Sequence, residues 1–258
     1  MRNIKRRLKK YSALRSFHKN YKKVNWRISS WLKLKYYRSY NIPAIKTHYA
    51  RLHNFGDQFN NDLLNYFGYK LIYVESWRTA DVALTGSILQ HYNKKFKGKL
   101  LGAGFIDKKY KHDQVSWDVK ILRGPLSAMQ CGVKDEVMFG DPGLLAPLLF
   151  KKDYKKKYHL GVVPHFVDYD NAVKKFSHNQ KIKIINVRQS PKKVAEAIRS
   201  CDNIASSSLH GLVFADSYRI PNIHLRFGDL LFGGLHKFKD YYEGMETENE
   251  VLDFSDKV

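Results

Sequence analysis

Cysteine is scarce: only Cys131 and Cys201 occur in 258 residues. Two thiols that far apart build no disulfide framework and match no finger-like metal spacing, so a stapled secreted scaffold is excluded and a reducing, cytoplasmic setting is expected. No apolar run of about 18 residues exists, so no membrane-spanning helix is expected, and the basic first residues lead into no signal-type apolar stretch. Acid is missing from the first 40 positions, which hold 14 Lys and Arg; elsewhere 32 basic residues stand against 24 acidic ones. The resulting formal charge of +22 points to an anionic partner: nucleic acid, a membrane surface, or a phosphorylated or acidic substrate. A hydrophobic content of 43% with 14% aromatics is enough to bury a core, which excludes a disordered or fibrous chain and allows one large domain or two small ones.

Within the acid-free arm, Leu8, Tyr11, Leu14, Phe17, Tyr21, Val24, Ile28 and Trp31 recur at steps of three and four with cations between them, and no proline interrupts before Pro43. That spacing predicts one or two basic amphipathic helices over residues 1–42. A cationic helix with aromatics on its apolar face suits an anionic membrane surface, here through residues 1–40. Docking onto the protein's own body and a flexible arm remain open. Nucleic acid is not expected as a partner, because no nucleic-acid motif accompanies the arm.

From Ile42 short apolar runs alternate with helical patterns. A helix follows Asn54-Phe55-Gly56-Asp57, with Phe59, Leu63, Leu64 and Phe67 on one face and Gly68 as its stop. Strands are expected at 70–74, 81–85, 99–101 and 119–122, the last opening into a helix with Pro125 in its first turn. Strand-then-helix alternation implies an α/β layer with a parallel sheet. The polar segment 151–157 reads as a linker, dividing the body into 43–150 and 151–258. Beyond it, strands are expected at 159–163, 182–187, 203–205 and 222–225, with helices after Ser190-Pro191 and from Leu212 to Tyr218.

Ser206-Ser207-Ser208-Leu209-His210-Gly211 stands where a strand ends and a helix begins, the place where parallel sheets hold ligands. First-turn amides and serine hydroxyls there can bind phosphate or carboxylate, and His210 beside them can act as acid or base. A serine-rich cap with a packed histidine explains the same residues equally well. Arg123 stands at a similar turn, where a guanidinium can pair with an anion. Asn54, Gly56 and Asp57 precede a helix, and His165 and Arg188 each follow a strand; capping and surface solvation are their ordinary explanations.

These pieces gain weight together. Asn54-Phe-Gly-Asp57, Gly102-Ala-Gly104, Val119-Lys-Ile-Leu-Arg-Gly-Pro-Leu-Ser127, Gly140-Asp-Pro-Gly-Leu-Leu145, Val163-Pro-His165, Ala205-Ser-Ser-Ser-Leu-His-Gly211 through Ile220-Pro221, and Phe238-Lys-Asp-Tyr-Tyr242 follow in order over residues 50 to 245. In this order and spacing the chain resembles the polysaccharide pyruvyl transferase family. The resemblance implies an α/β fold of two Rossmann-like lobes, GT-B-like, with the site in the cleft between them; the basic helical arm read above precedes both. It implies transfer of pyruvate from phosphoenolpyruvate onto two hydroxyls of a sugar, giving a cyclic ketal, with phosphoenolpyruvate as co-substrate and no separate cofactor or metal.

By the same resemblance Arg123 and His210 contact phosphoenolpyruvate and His165 lines the cleft; Asn54, Gly56, Gly104, Arg188, Ser207, Ser208 and Leu209 are expected to bind substrate. His210 is expected as acid or base, and His165 or Asp57 as acceptor of the sugar proton. Several family members carry arginine where this chain has Ser208, so the donor's charge needs another partner, with Arg188, Arg226 and Lys239 as candidates. A sugar or lipid-linked oligosaccharide acceptor then fits a cytoplasmic protein lying peripherally on the inner face of the plasma membrane. Two rival functions stay open: a GT-B-like glycosyltransferase using a nucleotide sugar, and a non-catalytic member of a polysaccharide-assembly complex.

Overall fold

The computed structural model describes residues 28–51, 54–112, 117–133, 136–228, 234–248 and 250–254. Most of the expected basic arm, residues 1–27, lies outside the described residues. Those described form a mixed α/β structure with two parallel sheets and eight α-helices. The first sheet contains β1 (Ala44–Thr47), β2 (Lys70–Tyr73), β3 (Val82–Ala83), β4 (Lys99–Leu101), β5 (Asp118–Leu122) and β6 (Met138–Phe139), in the order β2-β1-β3-β4-β5-β6. The second contains β7 (Tyr158–Val163), β8 (Ile182–Ile184), β9 (Cys201–Ser206), β10 (Asn222–Arg226) and β11 (Val251–Asp253), in the order β11-β10-β9-β7-β8. The helices are α1 (described over 28–39), α2 (Phe55–Tyr66), α3 (Pro125–Cys131), α4 (Ala146–Leu149), α5 (Tyr169–Phe176), α6 (Pro191–Arg199), α7 (Leu209–Ser217) and α8 (His236–Gly244). Among the described residues no helix is long and apolar enough to cross a membrane.

Local chemistry sets the helix starts. Asn54 caps α2 by accepting the Gly56 amide at 3.0 Å, and Ser190 caps α6 ahead of Pro191. Gly132, at φ 64°, closes α3 in the left-handed conformation that glycine adopts without strain. Helix α7 differs from these, because Leu209 through Ala215 are all buried and leave no polar face over two turns. It is the central helix, packed against β9 on one side and α2, α6 and the turn Pro142–Leu145 on others. Eight of the eleven strands fall on the runs expected from sequence, with shifted ends. The others, β1, β6 and β11, are two to four residues long and owe their strand character to pairing with β2 and β3, with β5, and with β10.

The two sheets do not keep separate interiors. Phe55, Phe59 and Leu63 of α2 are buried in one cluster with Val187, Val194, Ile198, Ile204 and Phe214 from the second half. Removing a side chain the size of Phe59 from water contributes about 2–3 kcal/mol. In the other direction α8, which follows β10, lies against α3 of the first half, and Asp240 on α8 reaches Arg123 and Ser127. Residues 151–157 hold neither helix nor strand and carry the chain from one sheet to the other.

Candidate active site

Because all strands are parallel, each sheet sends its loops out at one carboxyl edge, and in this molecule the two edges meet. The chain leaving β1 reaches Asn54 and the start of α2, where the Phe55 amide donates to Val187 O at 2.9 Å beyond β8. Glycine makes the approach possible. A Cβ on Gly56 would stand 2.0 Å from Nδ1 of His210, so the imidazole packs directly on the backbone that opens α2. A Cβ on Gly104 would likewise meet Cζ of Arg123 at 2.5 Å, and one on Gly124 would meet the Asp240 carbonyl.

The meeting point is charged and buried. Arg123 is 1% exposed; Nε donates to Asp240 Oδ2 at 2.9 Å, Nη1 to Ser87 Oγ at 2.7 Å, and Nη2 to Phe105 O. Asp240 also accepts from the amide and hydroxyl of Ser127, which fixes α8 on α3. One turn earlier on the same helix stands Lys237, buried, with Arg123, Asp57 and Asp168 as charged neighbours. Among the described residues its ammonium makes no ion pair or hydrogen bond, and burial followed by the Arg123 charge pushes its pKa down to about 8. Asp57, buried opposite, moves the other way: burial raises its carboxyl to about 8 against the pull of Lys237. His165, also buried in part, is pushed down to about 3 by burial and then by Lys237, so its ring is neutral.

Several polar atoms at this point lack partners. His210 Nε2 lies 3.7 Å from Asp141 Oδ2, and burial lowers the histidine pKa more than Asp141 raises it. Neither atom has a hydrogen-bond partner, nor does His165 Nδ1. Buried polar atoms cost free energy when left unpaired, so a cluster of them around a lone ammonium is arranged for a ligand. Such an arrangement can receive an anion at Lys237, while Asp141 Oδ2 can accept from a hydroxyl. The first-turn amides of α7 add donors at the same place. Among the described residues no group of three or more His, Cys, Asp or Glu is placed to hold a metal ion.

The chain is similar to a succinoglycan biosynthesis protein. ExoV of Rhizobium meliloti (strain 1021), which bears that description, is 28% identical over 178 residues, covering 65% of this chain and 54% of the other. Uncharacterized protein L143 of Acanthamoeba polyphaga mimivirus is 30% identical over 175 residues, covering 64% of this chain and 60% of the other. The chain thus matches little more than half the length of these relatives. No family model matches it.

Against this geometry the sequence-derived residues separate into groups. His210, His165, Asp57, Gly56, Ser208 and Leu209 stand at the meeting of the two edges, with Arg123 and Gly104 directly behind. Asn54 acts on the site through the α2 cap. Ser207 is committed to structure, accepting the His165 amide at 2.9 Å and donating to Asp168 at 2.7 Å. Ser208 starts α7 without a side-chain capping bond. Arg188 is exposed, its guanidinium over the Phe166 ring, and stays outside the buried cluster. Of the other cations considered for the donor's charge, Arg226 pairs with Asp253, and Lys239 is exposed near Glu243. The cation that faces the cluster is Lys237. Sequence reasoning missed it, along with Asp141, Asp168, Asp240 and Ser87; Asp141 and Asp240 lie within segments that had been singled out, and Lys237 borders one.

Proposed function

We propose that the chain acts in polysaccharide biosynthesis as a pyruvyl transferase, moving pyruvate from phosphoenolpyruvate onto two hydroxyls of a sugar. The observation that carries this reading is the buried Lys237 ammonium, with no ion pair or hydrogen bond among the described residues, near His165 Nδ1, His210 Nε2 and Asp141 Oδ2, three buried atoms that lack hydrogen-bond partners. Phosphoenolpyruvate brings a phosphate and a carboxylate to such a pocket. Lys237 and the α7 amides receive the anion, while Arg123, held by Asp240, adds positive potential from behind. Similarity to a succinoglycan biosynthesis protein supports the polysaccharide setting.

The reaction needs one group that gives a proton and one that takes it. Asp57, raised to about 8, holds its proton at neutral pH and is assigned as the acid that protonates the methylene carbon. The positive carbon so formed is attacked by the first sugar hydroxyl, whose proton passes to neutral His165 or His210. The C–O bond to phosphate then breaks, and phosphate leaves with one proton. The second hydroxyl closes the ketal, and its proton returns the acid to its starting state. Arg123, with its N–H groups engaged by Asp240, Ser87 and Phe105, is a positioning residue here.

Calorimetric titration with phosphoenolpyruvate and with UDP-sugars tests the assignment. The expected result is saturable phosphoenolpyruvate binding that weakens at least about tenfold in Lys237→Met, the loss of one charge-assisted contact. Binding of UDP-sugars instead would move the site to glycosyl transfer, and binding of neither would leave a non-catalytic role.

A further inference from the structure

Helix α1 turns one face to the body and another to solvent. Ser30, Leu34 and Tyr37 are half-buried, and Ser30 Oγ donates to Tyr73 O at 2.8 Å, at the carboxyl end of edge strand β2. On the outward face Ile28, Trp31, Leu32, Tyr36 and Tyr40 are each 51–66% exposed. At about 100° per residue these five form one continuous stripe. Lys33 and Arg38 flank it on either side, and Lys35 crosses it with its ammonium 4.1 Å from the Trp31 ring centre. Residues 28–40 contain no acid, nor do the 27 residues that precede them.

We propose that this outward face of α1 docks the protein on an anionic bilayer surface. A stripe of large apolar and aromatic side chains edged by cations matches the interfacial layer of such a bilayer, where rings sit at headgroup depth and amines meet lipid phosphates. Charge complementarity favours this occupant over a second copy, because stacking two acid-free faces would oppose like charges. The placement has a consequence for the cleft. Tyr73 lies at the same carboxyl edge of the first sheet from which the Asn54 and Gly104 loops emerge, so docking through α1 brings that edge to the membrane. A membrane-borne sugar acceptor would then meet the site without leaving the bilayer. The docking itself stands independently of the transfer reaction.

Flotation of the full chain with vesicles tests it, using phosphatidylcholine alone and phosphatidylcholine mixed with phosphatidylglycerol. Two variants are compared: Trp31→Ser with Leu32→Ser and Tyr36→Ser, and Lys33→Gln with Lys35→Gln and Arg38→Gln. All six side chains are on the helix surface, and a thermal midpoint equal to the parent's verifies each fold. The parent should float with the anionic vesicles only, and each variant should bind at least about tenfold more weakly. Failure of the parent to float overturns the proposal. Undiminished flotation of the Ser variant overturns it as well, since residues 1–27 would then hold the membrane alone. A parent that ignores vesicles and instead dimerises through this face, or binds nucleic acid that the Gln variant loses, overturns the proposal and gives the stripe to another partner.

Discussion

Two buried groups face each other with reversed tendencies. Asp57 holds its proton because burial makes its anion costly, and Lys237 gives up its proton readily for the same reason, both near pH 8. If Asp57 gives the proton and Lys237 holds the anion, both must be protonated, so turnover should fall as pH rises through about 8. Stability follows the same carboxyl in a defined direction. Between its ordinary 3.8 and about 8, folded Asp57 keeps a proton that the unfolded chain releases, so its contribution to stability is lost as pH rises across that window. The buried His165 works oppositely: neutral in the fold down to about 3, it favours the folded state more as pH rises toward its ordinary 6.5. Comparing Asp57→Asn with the parent isolates the carboxyl. The variant should bind phosphoenolpyruvate, fail to turn it over, and gain about 2–4 kcal/mol over the parent between pH 5 and pH 8 in chemical denaturation. A constant difference across pH would mean the carboxyl is ionised throughout.

Helix α8 is positioned by one buried ion pair and in turn positions Lys237. Asp240 accepts from Arg123 and from Ser127, two residues on different elements of the first half, and is itself 0% exposed. Removing one member leaves a buried charge uncompensated, so Asp240→Asn and Arg123→Met should each cost about 3–5 kcal/mol, and the double variant markedly less than their sum. Chemical denaturation of the four proteins measures this; simple additivity would mean the pair does not hold the helix. Such ties explain what the sequence left hidden. Arg123 and Asp240 are 117 positions apart, and neither its pattern nor its charge distinguishes Lys237 among 46 basic residues. What marks it is burial, created by the fold. The strand-to-helix turns were legible, because capping at Asn54 and Ser190, Pro125, and the Ser206-to-Gly211 run obey local rules. Strands β6 and β11 were not, since their strand character comes from pairing with β5 and β10 in the folded sheets.

At the scale of the whole molecule the two sheets are joined by more than residues 151–157. Helix α2 follows a strand of the first sheet, yet Phe55 and Phe59 stack edge-on to Phe214 of α7 with ring centres 4.9 and 5.2 Å apart. Helix α8 returns the exchange by lying on α3. Each half therefore completes the other's interior, and neither can lose its structure while the partner stays packed. Unfolding should be one transition. Among the described residues the tryptophans, Trp31, Trp77 and Trp117, all belong to the first half, and Trp117 is buried in its core, so the fluorescence change of Trp117 reports that half while far-ultraviolet dichroism reports both. The two signals should fall at one denaturant midpoint. Phe59→Ala empties a site at the junction and should cost about 3–5 kcal/mol, shifting both signals together. Fluorescence that leads or trails dichroism, or that stays in place while dichroism shifts, would show two independently stable lobes. In that case the cleft would open without unfolding, and the unpaired Lys237 would meet water as well as ligand. Coincident transitions carry the converse: the charge pocket persists only while both sheets are folded, and a ligand bound there stabilises the entire molecule, by about 2.7 kcal/mol at a hundredfold excess over its Kd.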